Sequence, residues 1–199
     1  MDENRHYFTP ATPARTEFTI KKSRFIADLR PAADKETVES ALAAVREEFA
    51  DARHHCYAWR LSSGAYRADD AGEPAGSAGK PILQALETRT VCDAVLVVTR
   101  YFGGIKLGIG GLIRAYGQAA FQVLDAAQLR EVSPVMTLEI SFSYDTTGTV
   151  RQILTRFDAA ILDTGFSDRT SLRISVAAAQ ADALRQQLID ATRGAIDFR

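Results

Sequence analysis

No apolar run in this sequence approaches the ~20 residues that a helix needs to cross a bilayer. The opening residues, Met1-Asp2-Glu3-Asn4-Arg5-His6, are polar and lack the apolar centre of a secretory signal. A membrane role and secretion are therefore not expected, and cytoplasmic residence is the default. Cysteine is scarce. The two present, Cys56 and Cys92, fall in no CxxC pair, which argues against a disulfide framework or a thiolate-rich zinc site. Both adjoin expected strands and read as buried, reduced thiols. There are only three histidines and no HExxH, so a metallopeptidase is a poor reading. Charge of one sign is not in excess either: 24 basic against 25 acidic side chains gives a net −1. That balance argues against a protein that coats nucleic acid non-specifically, yet it permits a local basic patch. Close internal repeats and low-complexity tracts are absent from the sequence.

What remains is the composition of an ordinary globular chain, 46% apolar and 25% charged over 199 residues. One stretch stands out, Val97 to Arg114. An apolar β-rich run, Ala94 to Val98, ends in a cation, a loop with five glycines follows, and an amphipathic helix begins near Gly110 or Gly111. A strand–glycine loop–helix arrangement offers free backbone N–H groups at a helix start, where the helix dipole also favours negative charge. Arg100, Lys106 and Arg114 flank that start, and the stretch holds no carboxylate. Arg114 falls in the first helical turn, where a cation is disfavoured. It calls for compensation by an anionic ligand or by an acidic loop from elsewhere in the chain.

Periodicity organises the rest. Residues 1–14 read as a loose arm. Alternation from Arg15 to Lys22 and from Phe25 to Leu29 predicts two strands. Asp34 is a candidate N-cap for a helix carrying Val38, Ala41, Leu42, Val45 and Phe49 at helical spacing. Cys56–Leu61 reads as a strand, residues 62–79 as a long polar loop, and Lys80-Pro81 opens a short helix to about Thr88. Asp93–Tyr101 is a further strand. The helix from Gly110 to Ala127 sets Arg114, Gln118, Gln122 and Asp125 on its polar side, with Phe121 turned away from the apolar face toward a second domain. After Ser133-Pro134 the pattern restarts as β-α-β-β-α-β, the order of a ferredoxin-like split unit. The expected fold is α+β, a two-domain α/β sandwich with domains over residues 15–131 and 134–199.

Four ordered stretches, 22–27, 52–59, 69–83 and 98–112, resemble the bacterial YigZ-type members of the IMPACT family. The region after 134 is similar to their C-terminal domain by pattern and length. The resemblance implies a first domain like one in a small-subunit ribosomal protein and in domain IV of elongation factor G, and a second like domain V of that factor. It implies that eukaryotic relatives restrain an amino-acid-starvation kinase and carry an N-terminal partner-binding domain for which this chain has no room. For the bacterial branch it implies an RNA- or ribosome-related role in regulating translation.

Several sites are candidates. The glycine loop, with Gly103, Gly104, Gly110 and Gly111, matches neither GxxxxGK[ST] nor GxGxxG, yet it can take a phosphate beside Arg100, Tyr101, Lys106 and Arg114. Lys80 can join that cationic rim. In the acidic loop, Asp69, Asp70 and Glu73 either hold a hard cation, serve as functional acids, or fold over and pair with Arg100 or Arg114, and in an enzyme Asp70, Glu73 or His55 would perform proton transfer. His54 and Cys56 share a strand face but fall short of the three or four ligands that zinc needs. No metal, cofactor or catalytic residue is assigned. The first reading is a non-enzymatic protein bound to RNA or the ribosome. The alternatives are an enzyme acting on a phosphorylated small molecule or nucleotide, and a protein-binding regulatory module using the polar stripe of the long helix or the face near Phe121.

Overall fold

A computed structural model describes residues 6–198. The chain divides into two compact units, Tyr7–Val132 and the residues from Ser133 onward. The architecture is α+β, and among the described residues no helix is long and apolar enough to cross a membrane.

In the first unit a five-stranded antiparallel sheet runs in the order β2 (Ala14–Ile20), β3 (Ser23–Pro31), β6 (Ala94–Tyr101), β4 (His54–Arg60), β5 (Tyr66–Asp69). Both faces of its centre are buried, so the inner strands are apolar almost throughout. Phe25, Ala27 and Leu29 alternate with Ile26 and Asp28 along β3. The first set joins Cys56, Ala58, Leu96 and Val98 against α2 (Gly79–Thr88) and α3 (Ile109–Ala126). On the other face Tyr57, Trp59, Val95 and Val97 pack against Val38, Leu42 and Val45 of α1 (Lys35–Glu48). Helix α1 starts where expected: the Thr37 N–H donates to the Asp34 carboxylate at 2.8 Å.

Two expectations need correction here. Of the arm expected to be loose, residues 1–5 lie outside the described residues, and Tyr7–Pro10 form β1, which pairs with β7 (Leu129–Val132) from the far end of the unit, so this unit begins before residue 15. The polar loop 62–79 contains β5, which pairs with β4 as a hairpin. Phe121 packs against the core of the first unit, with the Arg89 guanidinium 5.6 Å from its ring centre.

The second unit is a four-stranded antiparallel sheet ordered β11 (Ile196–Phe198), β8 (Val135–Phe142), β10 (Thr170–Ala177), β9 (Ala160–Phe166). Helices α4 (Thr147–Arg156) and α5 (Ala181–Ala191) complete the β-α-β-β-α-β order of a ferredoxin-like unit. Their Val150, Leu154, Leu184 and Leu188 share a core with Leu138, Ile140 and Ile174 of the strands.

Candidate functional site around the glycine turn

Strand β6 delivers Arg100 to the α2/α3 side of the sheet, one period after Leu96 and Val98. The acidic loop meets it there. Arg100 Nη1 donates to Glu73 Oε1 at 2.6 Å, and the two side chains are only 6% and 5% exposed. The guanidinium also lies 5.5 Å from the ring centres of both Phe25 and Phe102, and Nη2 donates to Ser23 Oγ at 3.3 Å. Arg100 is therefore closed to an outside phosphate, and the expectation that it contacts one is corrected. Inside this low-dielectric pocket a guanidinium without a carboxylate carries a large desolvation cost, which the carboxylate of the same chain offsets.

The other loop acids are also engaged by groups of the chain, at partly exposed positions. The Asp70 carboxylate accepts N–H bonds from Gly76, Ala78 and Gly79 at 2.7–2.9 Å, closing the loop on itself and capping α2. Burial pushes that carboxyl up, but the three N–H donors together outweigh it and hold Asp70 below its ordinary range. Asp69 accepts from the Ala71 N–H and pairs with Arg67 at 3.2 Å. Their oxygens are engaged by groups of the chain, and among the described residues no cluster of three or more His, Cys, Asp or Glu could hold a metal ion.

Two residues missed in the sequence, Tyr116 and Ser23, complete this interior network together with Cys56. Tyr116, two turns into α3, donates its hydroxyl to Glu73 Oε1 at 2.8 Å and accepts from the Cys56 thiol at 3.3 Å. Ser23 Oγ accepts from both Arg100 and the Gly103 N–H. A tyrosine on the apolar face of a helix signals a buried hydroxyl partner, and that clue is legible in the sequence. Burial, opposed in part by the Tyr116 hydroxyl, pushes the Cys56 thiol up to about 12, and burial also drives the Tyr116 phenol far up. Both groups are neutral hydrogen-bonding members, and neither is activated. His54 and His55 are likewise occupied. Nδ1 of His54 sits 3.0 Å from the Ala71 carbonyl and Nε2 of His55 3.2 Å from that of Phe49. A carbonyl can only accept, so each of these nitrogens carries the proton.

The outer surface of the turn is different. Lys106 and Arg114 are exposed, and among the described residues neither has an ion-pair partner. Arg114 lies over the helix start, with Nη1 3.7 Å from where a side chain on Gly110 would begin. Helix α3 begins after Gly108 without a side-chain cap. The hairpin turn Lys21-Lys22 presses on Gly103 so closely that a Cβ there would meet the Lys22 carbonyl carbon at 2.0 Å. Two further exposed lysines thus join the surface, and the sequence gives no sign of them there. Tyr101 anchors its hydroxyl on Asp51 at 2.6 Å with Arg24 above its ring, while Phe102 is 52% exposed. Gly104 and Gly111 shape the turn: Gly104 takes φ +85°, and a Cβ on Gly111 would stand 3.1 Å from Leu107 Cβ. Lys80 is exposed at the first turn of α2 and makes no bond to the glycine turn among the described residues.

The Impact N-terminal domain matches residues 21–124, which contain every element of this site, and a domain of unknown function, DUF1949, matches residues 140–195. IMPACT family member YigZ of Escherichia coli (strain K12) is 34% identical over 196 residues, spanning 96% of either chain. IMPACT family member YvyE of Bacillus subtilis (strain 168) is 31% identical over 195 residues, covering 97% of this chain and 90% of that one. A crystal structure of a hypothetical protein superposes with a TM-score of 0.64 at 34% identity, over 97% of this chain and 96% of the other. With the glycine turn, the acidic loop and both units inside these matches, the chain belongs to the IMPACT family.

Proposed function

We infer that the protein is a non-catalytic RNA-binding regulator associated with translation, holding phosphate groups on the outer surface of the glycine turn. One observation carries this reading. Lys21, Lys22, Lys106 and Arg114 are exposed around an uncapped helix start, without ion-pair partners among the described residues, and no carboxylate occurs from Ala94 to Leu124. Cations beside free N–H groups suit phosphate. The exposed Phe102 ring adds a face on which a base can stack. The inward pairing of Glu73 with Arg100 supports the same division: the acidic loop neutralises the interior cation and leaves the surface ones open. It also weighs against the enzyme reading, since Asp70 and Glu73 are bonded within the chain.

Salt dependence tests it. Titration of labelled single-stranded RNA and of ribosomes at roughly 50 and 200 mM salt should show steep weakening, with log K falling by about 0.7 per phosphate contact for each log unit of salt. Lys106→Ala combined with Arg114→Ala should weaken binding and flatten that slope. Absence of binding at the lower salt, or binding indifferent to the paired substitution, refutes the reading.

A further inference from the structure

Trp59 is the single tryptophan of the chain. The strand period turns it, with Tyr57, toward α1 and away from the glycine turn. The residue is 6% exposed, and its Nε1–H is shut off from bulk water with no acceptor among the described residues. An indole N–H can only donate, and leaving it unpaired in the interior is unfavourable.

The same residue lines a cleft of about 300 Å³, completed by Lys35, Val38 and Glu39 of α1 and by Tyr66 and Arg67 of β5. That volume falls at the lower end of small-ligand sites. Arg67 stands directly opposite Trp59 in the β4–β5 ladder, so the two share a face. Lys35 has no ion-pair partner among the described residues, and Arg67 holds Asp69 through Nη2 alone. Lys35 and Arg67 stand at the rim of an apolar wall made by Val38 and the rings of Trp59 and Tyr66, with the Arg67 guanidinium 6.0 Å from the Tyr57 ring centre and the Trp59 N–H just beneath. One carboxylate, Glu39, lies among them and opposes a multiply charged anion. Access to the indole nitrogen requires outer side chains to shift. Tyr66 and Arg67 are exposed on an edge strand and can do so at low cost.

We propose that this cleft binds a small monocarboxylate with an apolar body. The carboxylate meets Trp59 Nε1–H, Lys35 and Arg67, and the body lies against Val38 and the two rings. The site is independent of the RNA-binding surface, from which the sheet separates it.

The lone tryptophan makes the test direct, because all indole emission of the chain comes from a residue that lines this cleft. The full-length protein is titrated with benzoate, benzamide and inorganic phosphate. Benzoate should give a saturable change in Trp59 emission, benzamide should bind about tenfold more weakly for want of a charge, and phosphate should give no change. Lys35→Ala combined with Arg67→Ala touches only exposed side chains. It should weaken benzoate about tenfold while the thermal midpoint holds. Trp59→Phe, read by NMR saturation transfer to benzoate, should also lose affinity. No saturable response to benzoate, an equal response to benzamide, or affinity unchanged in the double variant overturns the proposal. None of these outcomes bears on RNA binding.

Discussion

Arg100 and Glu73 form an ion pair at 2.6 Å with both side chains almost wholly inside the first unit. Because Glu73 also accepts from Tyr116, removing its carboxylate strands two donors in the interior. Glu73→Ala should therefore destabilise the protein by about 3–5 kcal/mol. A buried pair replaced as a unit by apolar groups is often close to neutral, so Glu73→Leu with Arg100→Met should recover much of that loss. Urea denaturation of both singles and the double gives the coupling. Strictly additive losses would show that the two residues do not act as a pair. RNA affinity of folded Arg100→Met/Glu73→Leu should match the parent, since the Arg100 guanidinium does not reach the surface.

Asp70 makes stability depend on acid. Its three N–H donors hold the folded pKa below the unfolded value of about 3.9. A depressed carboxyl contributes stability that is complete above the unfolded pKa and is lost as pH falls through the folded one. The Asp70 contribution should thus be flat from neutral pH to about pH 5 and decline progressively as pH falls below about 4. Asp70→Asn keeps one acceptor oxygen for Ala78 and Gly79 but sets an amide NH2 against the Gly76 N–H, so it should lower stability at neutral pH by about 1–2 kcal/mol, the cost of an unpaired donor, and should shrink the acid-side decline. Denaturation midpoints taken across pH for both proteins check this. An identical acid profile in Asp70→Asn would remove the carboxylate from the account.

Much of the fold is legible in the sequence because local periodicity and burial agree. Periodicity puts the start of the long helix at Gly110, and the helix starts at Ile109; it puts the start of β6 at Asp93, and the strand runs from Ala94. The stripe Arg114, Gln118, Gln122 and Asp125 is exposed, as its polarity implies. The failures have a common cause. Strands β1 and β7 are four residues each and are defined by partners far apart in sequence, so neither carries a local signal. Strand β5 lies at the sheet edge with mostly exposed side chains, so its alternation is masked by polarity. Ile113 sits on the apolar side of the helical wheel yet is 42% exposed, while Leu112, Ala115 and Tyr116 beside it are buried, so helical spacing alone does not tell these neighbours apart. Charge pairing is harder still. The sequence places acids and bases in separate loops, and only the three-dimensional fold selects Arg100 over Arg114 as the partner of Glu73.

The Cys56 thiol should be chemically silent in the folded protein. Burial raises its pKa to about 12, and its one proton is shared between the Asp70 carbonyl at 3.0 Å and the Tyr116 hydroxyl at 3.3 Å. Thiolate is the reactive species, so at pH 8 almost none is present. Cys92 is also buried, with its pKa raised by desolvation. Exposure of the native protein to iodoacetamide should leave both unlabelled by mass spectrometry, while the same reagent in urea should label both. Rapid native labelling of Cys56 would show the thiol to be accessible and ionised, against the burial described.

Two adjacent glycines should respond differently to one methyl group. At Gly104, φ is +85° and nothing lies within 4 Å of the position a Cβ would take, so Gly104→Ala faces only left-handed backbone strain of about 1–2 kcal/mol. At Gly103 the same carbon would stand 2.0 Å from the Lys22 carbonyl carbon and 2.4 Å from the Ser23 nitrogen. Those are backbone atoms that cannot rotate away, so Gly103→Ala should cost at least about 3 kcal/mol, the upper end for overpacking. It must also push the Lys21-Lys22 turn off the glycine loop and break the Gly103 N–H bond to Ser23. RNA affinity should therefore fall for Gly103→Ala at temperatures where it is still folded, and stay near parental for Gly104→Ala. Thermal melts paired with RNA titration separate the two effects. Equal stability losses at both positions would mean that the contact between the hairpin and the glycine turn is slack.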